Sequence, residues 1–86
     1  MTLGVLISRS KHKKSLDLRA VGRTLRDYRK EAGLSQEALA ELADTHDRTI
    51  SRIERGELNF SVTLLYRICN ALHASADRVL FTTEQP

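Results

Sequence analysis

The 86 residues bound the chain to one small domain, because a protein of this size buries only about 60–65% of the surface it exposes when unfolded, too little for a large enzyme cleft. The single cysteine, Cys69, leaves no internal disulfide, and with His12, His46 and His73 scattered along the chain no metal-ligand spacing arises; neither a disulfide scaffold nor a metal centre is expected, and a reducing, intracellular setting is. Charge is divided unevenly: residues 1–30 carry nine Lys/Arg against Asp17 and Asp27 (+7), the rest five arginines against nine acids (−4), which suggests either a polyanion partner or a solvated helix face with a basic tail.

Residues 1–7 are mostly apolar. The run is too short for a signal-peptide core, it precedes the charges, and no segment approaches the ~20 apolar residues of a membrane span, so a cytoplasmic protein is expected. Residues 3–7 have strand character without an evident partner. With "SRSKHKKS" behind them, residues 1–16 read as a basic N-terminal arm, either tracking the phosphates of a polyanion or an incidental tail.

The first helix is predicted over residues 17–32. Val21, Leu25, Tyr28 and Ala32 recur at steps of four, three and four, with Arg23, Arg26, Asp27 and Lys30 between them and Gly33 as a left-handed stop. Ser35 then caps a short second helix, residues 36–43, with Glu37 in its first turn and Leu39, Leu42 and Ala43 along one face. Asp44 and Thr45 favour local side-chain bonding over helix, so a tight turn belongs there. A third helix follows over residues 47–55, closed by Gly56. Ile50 and Ile53 mark one face of it, while Arg48 and Arg52, four apart with Ser51 beside the second, mark another.

After a loop at 57–60, Ser61 caps a fourth helix whose apolar positions are Val62, Leu65, Ile68, Cys69 and Leu72. Cys69 is expected to be a small buried hydrophobe and His73 the helix stop. Ser75 caps a last helix over 76–81, and residues 83–86 form a tail. No stretch alternates as a strand would. The predicted class is all-α, about five short helices around one core in a domain spanning 17–82.

The run "GRTLRDYRKEAGLSQEALAELADTHDRTISRIERGELNFSVTLLYRICNALHASADRVL", residues 22–80, resembles the lambda-repressor/Cro-like (XRE) helix-turn-helix family. Within that family it is similar to the controller proteins of restriction–modification systems, through "GRTL", "LSQEALAELA", "ISRIERGELNFS" and "ICNAL". The resemblance implies a sequence-specific DNA-binding transcriptional regulator, acting as a homodimer on an inverted repeat, without cofactor or metal.

It makes the third helix the recognition helix. Arg48 and then Arg52 become the base readers, with His46, Asp47 and Ser51 beside them, because the arginine fork bonds O6 and N7 of guanine together. Asp47 would hold Arg48 in position. The plainer alternatives pair Arg48 with Asp44 or Asp47, and Arg52 with Glu54 or a phosphate. Phosphate contacts fall to Gln36, Thr45, Thr49, Arg55 and Asn59, with Arg19, Arg23 and Arg26 extending them; Gln36 would also brace the recognition helix. Arg29 and Glu54 match a structural ion pair between the first and third helices.

Ala40 sits where two helices cross, and Asp44 stands where relatives carry a left-handed glycine. Controller proteins containing "DRT" have a tyrosine before the isoleucine, whereas Thr49 here adjoins Ile50, which leaves two registers of base contact one residue apart. Leu72, Val79, Leu80 and Phe81 form the candidate dimerisation surface, with ordinary core packing the alternative for the last three. An enzyme is not expected, since no nucleophile lies at a spacing that assembles it with a base and no Gly-rich phosphate loop is present. The second reading is an antitoxin-type module that holds a toxin and also binds DNA.

Overall fold

The computed structural model describes residues 16–81. All of the basic arm except Leu16, the strand character at 3–7 and the tail at 83–86 lie outside the described residues. The described residues form five helices and no strand: α1 (Leu18–Glu31), α2 (Gln36–Leu42), α3 (Asp47–Glu54), α4 (Val62–Leu72) and α5 (Ala76–Leu80).

Side-chain caps start three of the helices. Asp17 accepts from the amides of Arg19 and Ala20, Ser35 from that of Ala38 and Ser61 from that of Leu64, each satisfying donors that a helix start leaves free. Four helices then end in one way. Gly33, Asp44, Gly56 and His73 all take a left-handed φ of 56–75°, and the next amide bonds back five residues: Leu34 to Arg29, Thr45 to Ala40, Glu57 to Arg52 and Ala74 to Cys69. Asp44 and His73 hold this conformation without glycine's freedom, both being residue types enriched there among those with a side chain.

The core gathers one face of every helix: Val21 and Leu25 of α1, Leu39, Ala40 and the adjoining Ala43 of α2, Ile50 and Ile53 of α3, Leu64, Leu65, Ile68, Cys69 and Leu72 of α4, and Val79 of α5. Helix α3 packs on α2 and α1, α4 on α2 and α5, and α5 returns to α1. Arg67 of α4 donates from Nε to the Ala43 carbonyl at 2.9 Å, satisfying an acceptor at the open end of α2.

Several expectations are corrected by this packing. Leu72 and Val79 were candidates for a dimer surface, but both are buried in the core of the single chain, Val79 completely. Of that set Leu80 is half-buried and Phe81 exposed. Leu42 and Val62, expected on inner faces, are exposed, as is Ala32. The inner face of α4 centres on Leu65, Ile68 and Leu72 and takes in Leu64, so Val62 stands about a quarter turn off its centre, in a first turn that nothing covers.

Cys69 is buried, and burial pushes its thiol above its ordinary pKa by penalising the thiolate. It should therefore resist iodoacetamide at neutral pH in the folded protein and react at once in denaturant. Rapid alkylation of the native chain, followed by mass spectrometry, would contradict this packing.

Candidate nucleic-acid interface

What fixes α3 against the body of the protein is a close backbone approach and a buried polar network. Gly22 lies in the middle of α1, and a β-carbon there would stand 2.3 Å from the Ile53 carbonyl oxygen and 2.7 Å from that of Glu54. Only a residue without a side chain lets the two helices meet. Gly22 carries no expected role in the apolar pattern of this helix, although an isolated glycine inside a helical pattern is a signal of such close packing.

The contact delivers Glu54 to Arg29. The guanidinium donates from Nε to Oε2 at 2.6 Å and from Nη2 to Oε1 at 3.0 Å, a two-point fork. A further Nη1–H reaches the Leu34 carbonyl at 2.8 Å. Gln36, the first residue of α2, adds a 3.0 Å bond from Nε2 to Glu54 Oε1. One carboxylate thus ties three helices together, and its hydrogen bond, opposed by burial, raises the Arg29 pKa further above its already high value. Both partners are buried, and among the described residues no buried side-chain polar atom is left without a partner.

The opposite side of α3 is bare. Ile50, Ile53 and Glu54 face inward, while Asp47, Arg48 and Arg52 are exposed. Neither Arg48 nor Arg52 makes an ion pair among the described residues, so the pairings of Arg48 with Asp44 or Asp47, and of Arg52 with Glu54, are not formed. Asp47 accordingly does not position Arg48 through a direct pair. His46, just before the expected helix start at Asp47, is the extended N-cap, without a capping side-chain bond.

The candidate backbone contacts divide. Thr45 and Thr49 are half-buried at the start of α3 and Asn59 is exposed in the following loop. Arg55 is already engaged, with Nε and Nη2 each 3.1 Å from the Glu57 carboxylate and Nη1 on the Ser51 hydroxyl. That pair holds the Glu57 carboxyl below the usual carboxylate range. Ser51 is half-buried and lines, with Gln36 and Arg55, the side of α3 nearer α1. The engagement of Arg55 went unforeseen because it depends on the chain reversing at Gly56, which brings Glu57 back alongside. Among the described residues no cluster of His, Cys, Asp and Glu is arranged to hold a metal ion, and no helix is long and apolar enough to cross a membrane.

Two short helices joined through a left-handed Asp44, the second held at its back and uncovered at its front, define a lambda-repressor-like helix-turn-helix domain, a class of transcriptional regulators and not of enzymes. The chain belongs to the family described as "Helix-turn-helix domain", whose model matches residues 20–80. It is 47% identical over 48 residues to an HTH-type transcriptional regulator of Methanothermobacter thermautotrophicus, covering 56% of this chain and 70% of that one. Among solved structures it resembles the restriction-modification controller protein C.AhdI from Aeromonas hydrophila (TM-score 0.72, 33% identity, 74% of this chain and 97% of that one). It also resembles the P22 c2 repressor in complex with a synthetic operator (TM-score 0.68, 28% identity, 78% and 96%).

Proposed function

We propose that the chain is a sequence-specific DNA-binding regulator that works in the cytoplasm as a homodimer on an inverted repeat, of the restriction–modification controller kind. The observation that carries this reading is the two-sidedness of α3. Its inner residues are committed to the core and to Arg29, while Arg48 and Arg52, one turn apart, are exposed and make no ion pair among the described residues. One such helix reads only a few base pairs, so specificity calls for two, placed about 34–36 Å apart along the duplex. The likeness to C.AhdI supports the controller assignment, and the operator complex of the P22 c2 repressor supports DNA as the ligand. Leu80 and Phe81 are the part of the expected dimer surface that remains accessible.

Selection from a random duplex library at near-physiological salt tests the reading. The expected result is an enriched inverted repeat, with half-site guanines whose preference relaxes in Arg48→Ala by about 1–3 kcal/mol at one base pair while non-specific binding persists. A folded protein that enriches no motif would overturn it.

A further inference from the structure

Arg48, Arg52 and Arg55 are spaced four and three apart, which at the helical period places them within about 60° of one another on the exposed side of α3. Arg55 is the C-cap and stays in the right-handed helical region, so the row runs to the end of the helix. Arg48 and Arg52 make no ion pair among the described residues, whereas Arg55 is taken.

The group that takes it is Glu57. Its two carboxylate oxygens accept from Nε and Nη2 of Arg55, each at 3.1 Å, the same two-point fork that an arginine makes with a phosphate. A left-handed Gly56 and a 2.9 Å bond from the Glu57 amide to the Arg52 carbonyl fix the backbone that brings it there. The hydrogen bonds from Arg55, opposed by a smaller loss of hydration, hold the Glu57 carboxyl below its usual range. The charges of Arg55 and Arg52 hold it lower still, so it is ionised at neutral pH.

Both side chains are about half exposed, and a pair so placed adds little to stability. What it changes is the charge that the surface offers to a polyanion. A row of three free arginines attracts any duplex, and that attraction carries no sequence information. With Glu57 in place the row keeps free only the two cations that the DNA-binding reading assigns to bases.

We propose that Glu57 is a specificity-determining residue: it occupies Arg55 as an internal stand-in for phosphate, which weakens binding to non-specific duplex and leaves reading by Arg48 and Arg52 untouched. The proposal rests on the DNA-binding reading above, and it withdraws Arg55 from the backbone contacts expected of it. The difference between duplexes follows from pose. On a selected operator the two readers fix the helix, and a released Arg55 gains only where a phosphate already lies in reach. On a random duplex the pose is free and settles wherever a third cation meets a phosphate.

The test is Glu57→Gln, which keeps the side-chain shape and the backbone bond to Arg52 but removes the charge. Binding of the full chain to the selected operator and to a random duplex is measured over about 50–200 mM salt, for wild type, Glu57→Gln, Arg55→Ala and the double variant. Glu57→Gln should bind the random duplex about tenfold more tightly at the low-salt end and the operator no more than about twofold more tightly, with a random-duplex salt slope steeper by about one. In the Arg55→Ala background the same substitution should gain no more than about twofold, because no cation is left to release. The urea midpoint of Glu57→Gln should not move. Equal gains on operator and random duplex, no gain on either, or a tenfold gain that survives in Arg55→Ala would overturn the proposal. Failure of the DNA-binding reading itself would show earlier and differently, as a wild-type chain that selects no duplex, and would take this inference with it.

Discussion

Replacing Glu54 with alanine is expected to remove about 3–5 kcal/mol of stability, close to the whole margin of a domain this small. The loss does not measure what the ion pair contributes. Glu54 is the common acceptor of Arg29 and Gln36, and Arg29 keeps a buried guanidinium whether or not its partner is present. Removing the carboxylate therefore strands a charge where water reaches it poorly. A double variant, Arg29→Met with Glu54→Leu, fills similar space without any charge and should recover most of the stability. Urea denaturation of the three proteins distinguishes the cases. A double variant no more stable than the single would mean that shape, and not the stranded charge, sets the cost.

Gly22→Ala is the second substitution with a large expected effect, and its sign runs against helix propensity. On an exposed helix this change gains about 1 kcal/mol. Here the new methyl would meet the carbonyl oxygens of Ile53 and Glu54 and the carbonyl carbon of Glu54, all backbone, with the nearest at 2.3 Å. No rotamer change relieves such a contact, so α1 and α3 must move apart by about 1 Å to restore ordinary separation. That displacement also pulls Arg29 off Glu54, now at 2.6 Å. A loss of about 3 kcal/mol or more is expected, a thermal midpoint lower by about 12 °C or more. A midpoint that stays or rises would show that the helices are not in this contact.

The helices were legible because their signals are local. Ser35 and Ser61 cap where their hydroxyls predict, the left-handed stop at Gly33 directly follows the C-cap Ala32, and α1 to α5 each lie within a residue or so of their expected bounds. Facing was legible in α3, where Ile50 and Ile53 oppose Arg48 and Arg52 in a short and strongly two-sided helix. It was less so near the chain end. Val79, Leu80 and Phe81 are three apolar residues in a row, and only the position of α1 determines that Val79 is swallowed while Phe81 is left outside. The bond from Arg67 to the Ala43 carbonyl and the fork of Arg55 on Glu57 depend likewise on where separate segments meet. Periodicity holds no information about such meetings, whereas the Arg29–Glu54 match came from a resemblance of whole motifs.

The separation of duties on α3 bears on how such a regulator changes its target over time. The inward positions, Ile50, Ile53 and Glu54, answer to the core, and the outward ones, Asp47, Arg48 and Arg52, are exposed and make no ion pair among the described residues. Substitutions at exposed positions of that kind usually shift stability by no more than about 0.5 kcal/mol. On the proposed reading, in which these outward residues meet DNA, a descendant can be re-addressed to a new operator through a handful of surface replacements, with no compensating repair inside. Paralogues in one cell can diverge into non-interfering switches while sharing an unaltered interior.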